Sequence, residues 1–172
     1  MTTDRDSWDE YHLKMAHLVA TRSKDPRSKV GAVIVSEENL VLSTGYNGLA
    51  RGVLDLEERI DERDEKLRWI YHAESNAIVN AARLGIALKG STIHVSKFPC
   101  VGCANAIVQA GIRRVHTDDA KTWKHDPTGD DGARSIRVFS EAGVILHAPN
   151  LPLGQAPESR PPVERANGQH II

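Results

Sequence analysis

Apolar positions recur at two different periods along the chain, and the switches between them mark out its elements. From Trp8 onward, Tyr11, Met15, Leu18 and Val19 follow at helical spacing. Asp6 or Ser7 stands where an N-cap belongs, and Asp25-Pro26 stops the pattern, so a helix is predicted from about Trp8 to near Ser23. Val30 to Val35 is a short continuous apolar run, which reads as a buried strand. Leu40 to Thr44 reads as its hairpin partner across the polar link Ser36-Glu37-Glu38-Asn39. From Gly45 to about Leu67 neither period holds and charge accumulates. That stretch is expected to be a long functional loop, with a short helix from Leu56 to Glu65 at most. Helices are then predicted from His72 to about Leu84, from Cys100 to Ala110 with Gly111 as C-terminal cap, and from Asp131 to Ala142 with Gly143 after it. Strands are predicted at Ser91–Ser96, Arg113–His116 and Val144–His147.

Strands that alternate with helices imply parallel pairing through right-handed crossovers. Only the first two strands have a link short enough for an antiparallel hairpin. The expected fold class is α/β, a three-layer α/β/α sandwich with a five-stranded mixed sheet. No internal repeat or second domain is visible. One domain is expected over residues 1–148, with 149–172 a flexible Pro-rich C-terminal tail carrying Pro149, Pro152, Pro157, Pro161 and Pro162.

Composition narrows the partners. The 172 residues suit one domain, and Lys plus Arg (22) against Asp plus Glu (23) leaves a net charge of -1. A protein that grips many phosphates carries a basic excess, so no nucleic acid polymer is expected as partner, whereas a single nucleotide needs only one or two cations. The polar start MTTDRDSWDE lacks the features of a signal peptide, and no apolar run approaches the roughly 20 residues that span a bilayer. No membrane partner and a cytoplasmic location are expected. The two cysteines, Cys100 and Cys103, form a Cys-x-x-Cys pair, which in a reducing compartment reads as a metal or redox site.

Two stretches carry the candidate chemistry: Tyr71-His72-Ala73-Glu74 and Phe98-Pro99-Cys100-Val101-Gly102-Cys103. Each opens a predicted helix, whose positive end favours thiolates. His72, Cys100 and Cys103 supply the three protein ligands of a catalytic zinc site, which keeps its remaining position for water. Glu74, two residues past the histidine, can serve that position as a proton shuttle. By itself the Cys-x-x-Cys could be redox-active or half of a structural site, but a structural site needs four protein ligands and no further cysteine exists, so a histidine would have to be the fourth. The combined pattern, His-x-Glu with Pro-Cys-x-x-Cys, is the signature of zinc-dependent nucleobase deaminases.

With these motifs the sequence resembles the deoxycytidylate (dCMP) deaminase family of the cytidine deaminase superfamily. Besides the metal motif, the resemblance rests on Lys29-Val30-Gly31-Ala32-Val33-Ile34-Val35, Thr44-Gly45-Tyr46-Asn47-Gly48, His72-Ala73-Glu74-Ser75-Asn76-Ala77-Ile78, Pro99 to Ala104 and Gln109-Ala110-Gly111-Ile112. It covers roughly Trp8 to His147. It implies hydrolysis of dCMP to dUMP and ammonia, with one catalytic Zn²⁺ per subunit, Glu74 as catalytic residue and a homo-oligomeric state. It further implies that Asn47 contacts the substrate sugar and that Ala73 offers its backbone N–H to the pyrimidine. Ser75 and Val101-Gly102 depart from the usual pattern beside the pocket. A modified cytidylate, a nucleoside or another aminated heterocycle is therefore an alternative substrate, and a non-catalytic nucleotide-binding zinc module is a separate alternative against which the intact Glu74 argues.

Other residues make weaker claims. Arg22, Lys24, Arg27 and Lys29 form a basic run, and Arg51 and the Lys121–Lys124 segment compete with it for a substrate phosphate. Trp69, Tyr71 and Trp123 are read as packing or pocket-closing residues. Glu57 to Lys66 is read as a solvated helix face. The histidines at 12, 17, 94, 116, 125, 147 and 170 show no ligand spacing to the cysteines and are read as ordinary surface or satisfied residues.

Overall fold

A computed structural model of the chain describes residues 5–117 and 131–149. Helix α1 (Trp8–Ala20) starts at a capping box: the Ser7 side chain accepts from the Glu10 backbone N–H, and the Glu10 carboxylate accepts from the Ser7 N–H at 2.8 Å. Strand β1 (Gly31–Val35) is buried along its whole length, and β2 (Val41–Tyr46) pairs with it antiparallel. The hairpin turns at Asn39, whose φ of 64° is the left-handed conformation asparagine tolerates. Later come α3 (Ala73–Arg83), β5 (Thr92–Val95), α4 (Val101–Gln109), β6 (Arg114–Thr117), α5 (Asp131–Glu141) and β7 (Ile145–His147). These follow the predicted order within a residue or two at each end.

The main sheet has the order β2-β1-β5-β6-β7. β5, β6 and β7 run parallel, as expected from their intervening helices. The expectation of a single antiparallel pair needs correction: β5 lies beside β1, with Ala32 opposite Val95 and Val35 opposite Thr92, and pairs antiparallel to it. The crossover through α3 starts from β2 and passes over β1, so β5 is parallel to β2 but meets the opposed strand between them. Helices α3, α4 and α5 share one face over a core that includes Ile34, Ala77, Ile93, Ile107, Val115 and Phe139. α1 packs on the other face over Val33 and Val35. The result is the expected three-layer α/β/α sandwich.

Two glycines set how closely the layers meet. A Cβ on Gly45 would lie 2.3 Å from both the Ala73 carbonyl oxygen and the Ala77 nitrogen, so α3 rests directly on β2. A Cβ on Gly31 would lie 2.0 Å from the Ala16 carbonyl oxygen, which fixes α1 against β1 in the same way.

The 45–67 segment differs from its expectation. β2 continues to Tyr46, and β3 (Gly48–Leu49) pairs with β4 (Ile70–Tyr71) in a separate two-stranded sheet. Instead of a helix over 56–65 there is a single 3₁₀ turn at Glu57–Arg59, followed by α2 (Arg63–Trp69). The face of this region is not wholly solvated either. Lys66 is buried and its ammonium donates to both oxygens of the buried Asp25 carboxylate, at 3.2 and 2.9 Å. Burial raises the Asp25 pKa, but the Lys66 ammonium and the backbone N–H groups of Arg27 and Ser28 outweigh it and hold the carboxyl below its ordinary value.

Four of the histidines read as ordinary surface or satisfied residues stand together in one cluster. His94, His116 and His147 stand side by side in register on β5, β6 and β7, with ring centroids 5.0 and 4.4 Å apart. His12 of α1 closes on His94 at 5.0 Å. Burial holds His94 and His116 below the usual histidine range, His116 down to about 4. His125, His170, Trp123 and the Lys121–Lys124 segment lie outside the described residues.

Candidate active site

The two candidate stretches meet where α3 and α4 begin side by side. His72 is the N-cap of α3 and Cys100 the N-cap of α4, both with extended backbone. Pro99, which disfavours helix at the residue before it, stands just ahead of that second start. Cys103, one turn in, is buried and donates its backbone N–H to the Cys100 sulfur at 3.4 Å. The His72 Nδ1 lies 3.4 Å from the Cys100 sulfur and 3.4 Å from the Cys103 sulfur. These three atoms form a compact triangle that could hold a metal ion.

The donor set suits zinc. One imidazole nitrogen and two sulfurs are soft-to-borderline ligands, and three of them leave a position for water. Without an ion, the two sulfurs would share one proton. The Cys103 thiol, hydrogen-bonded to Cys100, brings the Cys100 pKa down to about 4, and the Cys100 thiolate in turn holds the Cys103 proton well above the usual thiol range. A divalent cation takes the place of such a shared proton and leaves both sulfurs as thiolates. The Cys100 hydrogen bond raises the His72 pKa against the burial that lowers it. The departing residue Ser75 faces the sulfurs: its hydroxyl oxygen is 3.8 Å from the Cys103 sulfur.

Glu74 is buried in the first turn of α3. Burial drives its pKa up to about 7, with its own backbone N–H and the His72 ring pulling the other way. A carboxyl poised between its two protonation states near neutrality is matched to moving protons in both directions. Ala73 is fully buried at the first position of α3, where a backbone N–H has no intrahelical acceptor.

Asn47, which the resemblance implies contacts the substrate sugar, has its side-chain amide bonded within the fold. It sits just past β2, and its Oδ1 accepts from the Val30 N–H at 2.8 Å. Its amide nitrogen donates to the Ser28 carbonyl at 2.8 Å and to Asp25 at 3.3 Å. These bonds, and Lys66 behind Asp25, tie the 25–30 turn to the end of β2. No sequence period could have revealed that polar knot, because its members come from three separate segments.

Of the basic residues, Lys24 pairs with Asp55, and Arg27 donates to the Asp61 carbonyl. Arg22, Lys24, Arg51 and Arg83 line a cavity of about 550 Å³ against the outer side of α3, together with Tyr46 and Tyr71. None of His72, Glu74, Cys100 and Cys103 lines it. Trp69 lies outside the cavity lining as well: its indole N–H donates to Glu65, and the Arg59 guanidinium sits 4.4 Å over its ring.

A layered α/β/α fold with a histidine and a Cys-x-x-Cys at two adjacent helix starts, and a buried glutamate beside them, defines the class of zinc-dependent deaminases. A family model described as the cytidine and deoxycytidylate deaminase zinc-binding region matches residues 6–118, and the chain belongs to that family. It is 40% identical over 144 residues to the deoxycytidylate deaminase of Homo sapiens, covering 81% of this chain and 78% of the human protein. It is 35% identical over 149 residues to ComE operon protein 2 of Bacillus subtilis, covering 86% and 74% of the two chains. The crystal structure of dCMP deaminase from the cyanophage S-TIM5, in complex with dCMP and dUMP, superimposes with a TM-score of 0.64 at 28% identity, over 81% of this chain and 94% of the phage chain.

Proposed function

We propose that the chain hydrolyses dCMP to dUMP and ammonia, and that His72, Cys100, Cys103 and Glu74 carry the reaction. The observation behind this reading is the triangle of one imidazole nitrogen and two sulfurs at 3.4 Å, with the buried Glu74 in the adjoining helical turn. Zinc held on that triangle supplies a Lewis acid that lowers the pKa of water to about 7. Glu74 accepts a proton from the attacking water and passes it to N3 of the pyrimidine as the C4–O bond forms. It then delivers the second proton of that water to the amine, the C4–N bond breaks, and ammonia leaves. The Ala73 backbone N–H, free of an intrahelical partner, is available to the pyrimidine carbonyl. Asn47 contacts the substrate sugar in this reading, from a side chain that its bonds to the 25–30 turn hold in place.

A modified cytidylate is the competing substrate class, motivated by Ser75. The 3.8 Å approach of its hydroxyl to the Cys103 sulfur favours dCMP, since it directs this departure at the metal ligands rather than at the base. The test is ammonia release from dCMP, CMP, deoxycytidine, 5-methyl-dCMP and dAMP, each with and without a chelator. Fast, chelator-sensitive turnover of dCMP is expected. An inert dCMP beside a turned-over analogue would overturn the substrate assignment.

Among the described residues no helix is long and apolar enough to cross a membrane, and the two cysteines form no disulfide. A site that depends on reduced sulfur fits the cytoplasm. Homo-oligomers are part of the same reading: Tyr46, Tyr71 and Val79 are exposed hydrophobic side chains that line the α3 cavity. Light scattering on the purified protein tests it, and a monomer would contradict it.

A further inference from the structure

Across the sheet from the thiolate site, two imidazoles and a carboxylate converge. The Nε2 of His94 on β5 lies 3.0 Å from one Asp9 oxygen, and the Nε2 of His116 on β6 lies 3.5 Å from that same oxygen. The three ligand atoms all fall within 4.8 Å of one another, among the described residues the only such trio besides His72, Cys100 and Cys103. Asp9 belongs to the first turn of α1, so the group joins that helix to two strands.

We propose that Asp9, His94 and His116 form a second divalent transition-metal site, of the zinc class, that pins α1 to the sheet. Three lines of argument carry this. The first is spacing. Around an ion with bonds of about 2.1 Å, ligand separations of 3.0 and 3.5 Å subtend roughly 90° and 113°, which brackets octahedral and tetrahedral coordination. The second is donor chemistry. Two neutral imidazoles with one carboxylate suit zinc, iron and their neighbours, and Asp9 is half exposed, so the open positions face water. The third is polar bookkeeping. Among the described residues, the buried side-chain nitrogens without a hydrogen-bond partner are Nδ1 of His94 and both ring nitrogens of His12. All three sit in this cluster, with the two rings 5.0 Å apart. Orphaned buried polar atoms in such number point to an unseen ion or water. Once the His94 Nε2 binds an ion its proton resides on Nδ1, and the neighbouring ring, 5.0 Å away between centroids, is that of His12. This is the kind of outer partner that fixes a metal-bound imidazole.

His147, stacked on His116 at 4.4 Å, extends the ladder to the sheet edge. The site shares no residue with the proposed active centre, so its failure would leave that reading intact.

The test is metal counting on the zinc-loaded holoenzyme, dialysed free of loose ions and then titrated with Co²⁺. Wild type is expected to bind two equivalents of zinc plus cobalt per chain, and the added cobalt to show d–d bands without a thiolate charge-transfer band. Asp9→Asn and His116→Gln are expected to bind that second equivalent at least tenfold more weakly, while keeping one zinc and normal deaminase turnover. One equivalent in wild type would overturn the proposal. So would a second equivalent that survives unweakened in both variants, or cobalt that carries a thiolate band.

Discussion

His72 and Cys100 each hold the residue position just before a helix, and that placement does two jobs at once. The extended N-cap backbone turns their side chains toward each other across the α3–α4 junction, and the helix starts favour negative sulfur. On this assignment, Cys100→Ala should lose one equivalent of sulfur-bound zinc and melt at lower temperature, because metal affinity and folding are coupled through the same ligands. Metal analysis and a thermal melt on one preparation check both effects. Retention of that zinc would remove Cys100 from the ligand set. This part of the site was legible in the sequence, since coordination chemistry dictates residue types and spacing within short local stretches. The bonding of Asn47 and the Asp9–His94–His116 trio was not. Their members are distant in sequence and become neighbours only through strand register and the docking of α1.

Elements transmit packing to the site. α3 carries His72 and Glu74 at its start and rests on Gly45 of β2, where even a methyl group would meet helix backbone at 2.3 Å. Gly45→Ala should therefore cost at least about 1–3 kcal/mol of stability and lower kcat as well, since α3 must shift to make room. Urea denaturation with steady-state kinetics measures both. A stable, fully active variant would show that α3 is not held by this contact. The short strands and α2 between residues 45 and 71 escaped sequence reading because two-residue strands have no period to detect, and a buried Lys66 looks like its solvated neighbours.

That lysine makes a second prediction at this scale. Lys66→Met strands the Asp25 carboxylate in the interior and should cost about 3–5 kcal/mol, while Asp25→Asn combined with Lys66→Met should recover part of the loss. The pair also sets an acid limit. The Asp25 carboxyl titrates below its ordinary 3.8 in the folded chain, so its contribution is fully present above that pH and is lost as pH falls through the lower folded value. Stability measured between pH 5 and pH 2 (roughly the window of carboxylate titration) should fall more steeply in wild type than in Asp25→Asn. Parallel curves would contradict the depressed pKa.

At the scale of the whole molecule, one sheet separates two chemistries. α3, α4 and α5 crowd the face that bears the thiolate triangle, and among the described helices α1 covers the face that bears the histidine ladder. The layer order, five strands and their hairpin start were readable from alternating hydrophobic periods. The insertion of β5 beside β1 was not, because periodicity says which residues form strands and not which strands become neighbours. The Pro-rich composition of 149–172 leads us to expect that a chain ending at residue 149 keeps its melting temperature and turnover. A large drop in either would make that segment part of the domain.

The account stands most directly on one comparison: ammonia release from dCMP by zinc-loaded wild type and by Glu74→Gln, with zinc content measured on both. The expected result is chelator-sensitive turnover in wild type and a loss of about 10²–10⁴-fold in the variant at unchanged zinc content. Turnover of dCMP at the wild-type rate by Glu74→Gln, or none by zinc-loaded wild type, would contradict it.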